Sequence, residues 1–164
     1  MPLSLVRIDD RLVHGQVVEG WIPRLKIEQV LVACDAAAKD DLQASLMRLA
    51  LPEKIGLDVL GVAQAARHPG FQPGYLKRLL VLVPGPREIL ELLDGGAAFS
   101  TVNVGGLHYT AGKVQLGKAI FLSEEDRTAL REILRRGVAL EGRALPSDKP
   151  LDILALVDAG GGAS

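Results

Sequence analysis

The sequence predicts an α/β fold with a mostly parallel sheet, held in one domain. Three observations carry this. Short runs rich in Val, Leu and Ile alternate with amphipathic stretches along the chain. The 164 residues, 48% hydrophobic and 24% charged, suit one domain with a full core. No repeat, long linker or low-complexity segment divides the chain ahead of its Gly-rich end.

Leu3–Ile8 reads as a strand and His14–Leu25 as a helix. Gln29–Ala33 is a Val- and Leu-bearing strand. Asp40–Ala50 has helical spacing, with Leu42, Leu46 and Leu49 on one side. Ile55–Leu60 is a weaker strand, followed by a short helix around Val62–Arg67. Leu79–Val83 is a buried strand. Pro86–Leu93 opens with Pro at a helix start and stops at Gly95–Gly96. Phe99–Val104 is a strand ending in Gly105–Gly106, and Ala119–Leu122 is another. Ser123 caps a helix whose first turn holds Glu124, Glu125 and Asp126, suited to the positive end of the peptide dipole; Arg131, Arg135 and Arg136 lie near its end at Gly137. Val138–Leu145 is a last strand and Leu151–Val157 a terminal helix. The domain is expected over 1–158, with 159–164 a disordered tail.

Composition narrows the function classes. The formal net charge of -1 argues against general electrostatic binding to nucleic acid. The single cysteine, Cys34, excludes an intrachain disulfide and fits a reducing compartment; it reads as a small buried hydrophobe. Charges at Arg7, Asp9, Asp10 and Arg11 break any apolar run of the kind a secretory signal has. No stretch has the apolar continuity of a membrane span.

The chemistry concentrates in Arg7-Ile8-Asp9-Asp10-Arg11-Leu12-Val13-His14-Gly15-Gln16-Val17. This segment sits where the first strand gives way to the first helix, and the carboxyl ends of parallel strands line the binding crevice of such folds. A histidine entering a helix lies near the positive end of the dipole, which disfavours the imidazolium and leaves a ring nitrogen free to attack. The unpartnered N–H groups of the same helix end, at Gly15 and Gln16, form an anion site suited to a phosphoryl group. Arg11 is placed to stabilise charge on transferring oxygens. Asp9 or Asp10 is placed to accept a hydrogen bond from the second ring nitrogen and fix the tautomer.

This segment resembles the signature of the enzyme IIB components of the mannose/fructose/sorbose family of bacterial sugar phosphotransferase systems. Trp21, Val102-Asn103-Val104-Gly105-Gly106, and Gly137-Val138 through Leu145-Pro146-Ser147-Asp148 resemble further parts of the family pattern, so the likeness spans nearly the whole chain. It implies a single-domain, three-layer fold with a mostly parallel seven-stranded sheet flanked by helices. It implies that His14 accepts phosphate on Nδ1 from a phosphohistidine of enzyme IIA and passes it to a sugar held by the membrane components IIC and IID. It implies that Arg11 is the family's arginine, that no metal or organic cofactor is required, and that the protein is cytoplasmic and peripheral to a permease. Cys34 replaces an amide that is usual in the family, in a loop that keeps Asp35 and Asp40.

Other residues are weighed alongside. Gly105 and Gly106 read as a tight turn requiring positive φ whose backbone walls the phosphate site. Arg7, Asp35 and His108 are further candidates for the crevice. His68 reads as a surface residue, and the Arg131, Arg135 and Arg136 group as a solvated helix end. No two histidines share metal-ligand spacing. Two alternatives stand beside the carrier. One is a IIB-like regulatory phosphoprotein without sugar transport. The other is a receiver-like domain with Asp9 and Asp10 on Mg²⁺, Asp58 as acceptor and Lys113 or Lys118 as the cation.

Overall fold

A computed structural model of the chain describes residues 3–107, 114–117 and 120–161. Strand β1 (Leu3–Asp9) leads into a helical run from Gly15 to Leu25, which is π-helical over Val17–Trp21 and closes as α1 (Ile22–Leu25). Then come β2 (Gln29–Ala33), α2 (Asp35–Ala38), α3 (Asp41–Ala50), β3 (Gly56–Leu60), α4 (Val62–Ala65), a 3₁₀ turn (Pro69–Phe71), β4 (Leu79–Val83) and α5 (Pro86–Asp94). The second half holds β5 (Thr101–Gly106), β6 (Val114–Gly117), β7 (Ile120–Leu122), α6 (Glu124–Arg135), β8 (Ala139–Gly142) and α7 (Ile153–Gly161).

Six strands pair in the order β3-β2-β4-β1-β5-β8, every pairing parallel. β6 and β7 form a separate antiparallel pair. The seventh strand expected beside the sheet corresponds best to β7, which meets the end of β5 through one parallel bridge, Leu107 to Ile120. The sequence does not single out β6 because Val114–Gly117 is short and only Val114 and Leu116 in it are apolar.

Each sheet face buries its own cluster, because side chains alternate along a strand. In β4, Leu79, Val81 and Val83 pack with Ile89 and Leu92 of α5 and Leu130 and Ile133 of α6. Leu80 and Leu82 point the other way, to Val17, Ile22, Ala37 and Met47. Helices on both faces make the three layers expected. Asp40, expected within the helix, caps it instead by accepting from Gln43 N, and the Ser123 cap is present as a reciprocal capping box with Asp126. Gly137 takes the left-handed conformation, φ 85°, that ends α6.

Leu42, Leu46 and Leu49 do share one side of α3, and it is the outer one: they are 71%, 57% and 80% exposed, and α3 packs inward through Met47. One expectation is corrected. His68 is buried: its Nδ1 accepts from Gly70 N at 2.9 Å and its Nε2 meets Asp58 at 2.8 Å, so the loop curls around the ring. α7 runs from Ile153 to Gly161.

β1 lies between β4 and β5, and the connections leave to opposite faces. The segment after β1 packs on one face through Leu12, Val13 and Val17, while α5 after β4 packs on the other. The carboxyl end of β1 therefore lies at a point of diverging connections, where sheets of this kind place their ligands.

Candidate functional site

β1 ends in a tight turn in which Leu12 N donates to Asp9 O at 3.0 Å. Leu12 has φ 59°, a left-handed conformation that costs a non-glycine residue about 1–2 kcal/mol. Its side chain is 2% exposed, and such burial returns about 1.5–3 kcal/mol. Asp10 N donates to Gly106 O at 2.9 Å, tying the turn to β5. The His14 carbonyl then accepts from Val18 N at 2.9 Å, so the ring stands at the mouth of the helical run.

The turn folds His14 back over Asp9. Its Nε2 lies 2.7 Å from Asp9 Oδ2, and its side chain is 13% exposed. The same oxygen accepts from Arg7 Nη2 at 3.0 Å, while Asp9 Oδ1 accepts from Arg11 N at 3.1 Å. Burial works to raise the Asp9 pKa, but the hydrogen bond to His14, the charges of Arg7 and His14 and the Arg11 N–H together bring it below the usual carboxylate value. Asp9 is therefore an acceptor. Nε2 faces it as the donor, so in the neutral form of the ring the lone pair is on Nδ1, which makes no hydrogen bond among the described residues.

Arg7 is fully buried beneath this pair. Burial lowers its pKa, and the Asp9 charge opposes that. Its Nη1 donates to Asn103 Oδ1 at 2.5 Å and to Arg143 O at 2.9 Å, and its Nη2 also donates to Ala144 O at 3.0 Å. The Trp21 ring lies 5.2 Å from the guanidinium carbon, a cation–π arrangement, and Trp21 Nε1 donates to Ala144 O at 2.9 Å. The π-helical segment includes Trp21 at its end, with both Val17 and Trp21 buried. An isolated buried guanidinium would be prohibitive; a carboxylate, an amide oxygen and two carbonyls make this one tenable.

Gly105 completes the cage. A Cβ there would fall 1.9 Å from Arg7 Cζ. Gly105 and Gly106 therefore lie within β5, buried and extended, rather than in the positive-φ turn expected of them, and the missing side chain at Gly105 makes room for Arg7. The separate stretches singled out in the sequence thus converge on one guanidinium: Arg7 and Asp9, Trp21, Asn103 and Gly105, and the backbone at Arg143 and Ala144. Sequence reasoning had Arg7 as a candidate without a role. It missed Asn103 as a contact, and carbonyl groups leave no side-chain signal.

Arg11 is 45% exposed on the outer side of Asp9, with Nε 3.9 Å from Oδ1 and Nη2 donating to Gln16 Oε1 at 3.0 Å. Gly15 is exposed at the helix start, with open space where a side chain would stand. Of the two aspartates offered to orient His14, Asp9 holds the ring.

Asp35 serves a different element: its Oδ1 accepts from Val62 N at 2.8 Å, at the start of α4. Cys34 is buried as a free thiol, as expected. His108, Lys113 and Lys118 lie outside the described residues. The receiver-like arrangement fails on topology, since β3, which carries Asp58, is separated from β1 by β2 and β4. Asp58 is occupied by Gln29 and His68. The α6 arginines are not merely solvated: Arg135 and Arg136 pair with Glu132, and Arg136 with Asp94 of α5. Among the described residues, no group of three or more acidic, His or Cys residues is placed to hold a metal. None of their helices is long and apolar enough to cross a membrane.

Comparison with known proteins identifies the family. Residues 3–161 match the family described as the PTS system sorbose subfamily IIB component. The chain is 32% identical over 161 residues to the sorbose-specific EIIB component of Lacticaseibacillus casei, covering 96% of each. It is also 32% identical to the mannose-specific EIIAB component of Escherichia coli K12, of which it spans 49%. The crystal structure of the IIBSor domain of the sorbose permease from Klebsiella pneumoniae superposes with a TM-score of 0.87 at 31% identity, covering 97% of this chain and 98% of that one. The fold, the motif positions and these likenesses agree: the chain belongs to the sorbose subfamily of IIB components, the phosphocarriers of sugar phosphotransferase systems.

Proposed function

We propose that His14 is the phosphate carrier, accepting a phosphoryl group on Nδ1 from a phosphohistidine of an enzyme IIA and passing it to a sugar held by membrane components IIC and IID. The observation that carries this reading is the 2.7 Å contact between His14 Nε2 and the buried, acid-shifted Asp9. It keeps the proton on Nε2 and the nucleophilic lone pair on Nδ1. In the forward step that lone pair attacks phosphorus, the bond from phosphorus to the donor imidazole breaks, and the donor nitrogen keeps the electron pair. His14 retains its Nε2 proton against Asp9 throughout.

Arg11 supplies positive charge to the equatorial oxygens, and the free N–H groups at Gly15 and Gln16 receive the bound phosphate. Gln16 holds the Arg11 guanidinium at 3.0 Å until that charge arrives. Arg7 acts through Asp9 as a positioning residue. Each transfer breaks the already activated P–N bond of a phosphohistidine, so the reading calls for no metal or organic cofactor. A cytoplasmic protein meeting its permease peripherally fits this cycle.

The test is incubation with a phosphorylated IIA carrier followed by mass mapping without acid. One phosphate per chain on His14, stable in alkali, labile in acid and absent from His14→Ala, is expected. Phosphate on an aspartate, or undiminished labelling of His14→Ala, would overturn the proposal.

A further inference from the structure

The outer face of α3 is the least explained part of the molecule. Leu42, Leu46 and Leu49 stand at i, i+4 and i+7, so they form one stripe, and they are 71%, 57% and 80% exposed. Ser45 and Ala50 flank them, also exposed. Surface leucines are ordinary when scattered; three in a row on a helix that already has an inward anchor, Met47, form a patch that calls for a partner.

We infer that this face is a two-fold interface with a second copy of this chain, α3 lying antiparallel to α3. The charge pattern argues for a copy. The amino end of the helix carries Asp40 and Asp41, while Arg48, whose guanidinium donates to Ile55 O and Pro52 O, lies in its last turn and the exposed Lys54 in the loop just beyond it. Antiparallel pairing about an axis beside Leu46 sets Leu42 of each copy against Leu49 of the other. It also brings each acidic end to a basic one and opposes the two helix dipoles. Lys39 and Glu53, both exposed, extend the same alternation outward. A net charge of -1 per chain raises no general barrier to association.

The size of the face sets the strength. α3 has 10 residues, about 15 Å of helix. A strip of that length and about 10 Å wide presents roughly 150 Å², well short of the roughly 800 Å² per partner of a standard interface. The pair is thus weak and dependent on concentration, which suits a carrier that must meet other partners in turn.

The test is sedimentation velocity of the whole chain from about 10 μM to about 1 mM, a range that brackets weak affinities. The native chain is expected to move from monomer toward dimer across it. Leu46→Glu, which sets like charges beside the axis, is expected to weaken dimerisation at least tenfold with unchanged circular dichroism and unchanged phosphate acceptance. A native chain that stays monomeric throughout, or a Leu46→Glu chain that dimerises like the native one, overturns the inference. A monomeric native chain whose Leu46→Glu form fails only in assays with membrane components would assign the face to another protein, and that too overturns it.

Discussion

Replacing Asp9 with asparagine tests the site at its centre while keeping its shape. The carboxylate receives Arg7 Nη2 at 3.0 Å and His14 Nε2 at 2.7 Å on one oxygen, and Arg11 N at 3.1 Å on the other. An amide has one oxygen. Turned toward Arg7 and His14, it sets its NH₂ against the Arg11 N–H; turned the other way, it sets NH₂ against Arg7. In the second orientation His14 relieves the conflict by accepting at Nε2, which moves its proton to Nδ1 and removes the nucleophile. Breaking one partner of a buried ion pair costs about 3–5 kcal/mol. Arg7 keeps Asn103 Oδ1 and two carbonyls, so a loss near 3 kcal/mol is expected from urea denaturation at pH 7. Phosphate transfer should fall on the order of 10²-fold or more, as when a proton-directing group is lost. The deficit should also depend on pH. Asp9 has a depressed pKa in the folded state, so its contribution is complete above the unfolded value near 3.9 and is lost as pH falls through the lower folded value. An Asp9→Asn chain within about 0.5 kcal/mol of native and transferring at the native rate would refute the reasoning.

Other outcomes follow from the same geometry. Gly105→Ala should destabilise by about 1–3 kcal/mol or more, because the new methyl displaces Arg7, and it should slow phosphate acceptance; denaturation and transfer assays read both. Burial holds the Glu88 carboxyl above its ordinary pKa, so its ionised form disfavours the folded state. Glu88→Gln should therefore raise the urea midpoint at neutral pH, with the gain shrinking as acid protonates the native Glu88. Cys34 is buried, so a thiol reagent should modify it rapidly only after unfolding, as absorbance titration with and without denaturant will show.

Much of the fold was legible because strand and helix boundaries follow strong local rules. Val30–Ala33 and Leu79–Val83 are uninterrupted apolar runs and appear within the buried strands their composition predicts. The Ser123 cap and the stop at Gly137 rest on backbone chemistry within a few residues. The gaps arise where distant residues decide. The leucines of α3 satisfy a helical period, but period alone does not say which of two apolar stripes meets the sheet. His68 is buried by Asp58 and by its own loop, a contact no local pattern encodes. At the site, a histidine entering a helix and a nearby aspartate were readable. The choice of Asp9 over Asp10 depended on strand alternation and the turn at Leu12. Gly105 looked like a turn residue because glycine's commonest use is positive φ; its actual reason, the Arg7 guanidinium from a neighbouring strand, exists only in three dimensions.

The central claim is that Asp9 fixes the His14 proton on Nε2 and leaves Nδ1 to react. Long-range ¹H–¹⁵N correlation spectra of the chain, before and after phosphorylation, measure this directly. The account predicts a neutral ring protonated at Nε2 that becomes phosphorylated at Nδ1 with the Nε2 proton retained. A ring protonated at Nδ1 in the resting protein, or phosphate carried on Nε2, would contradict it.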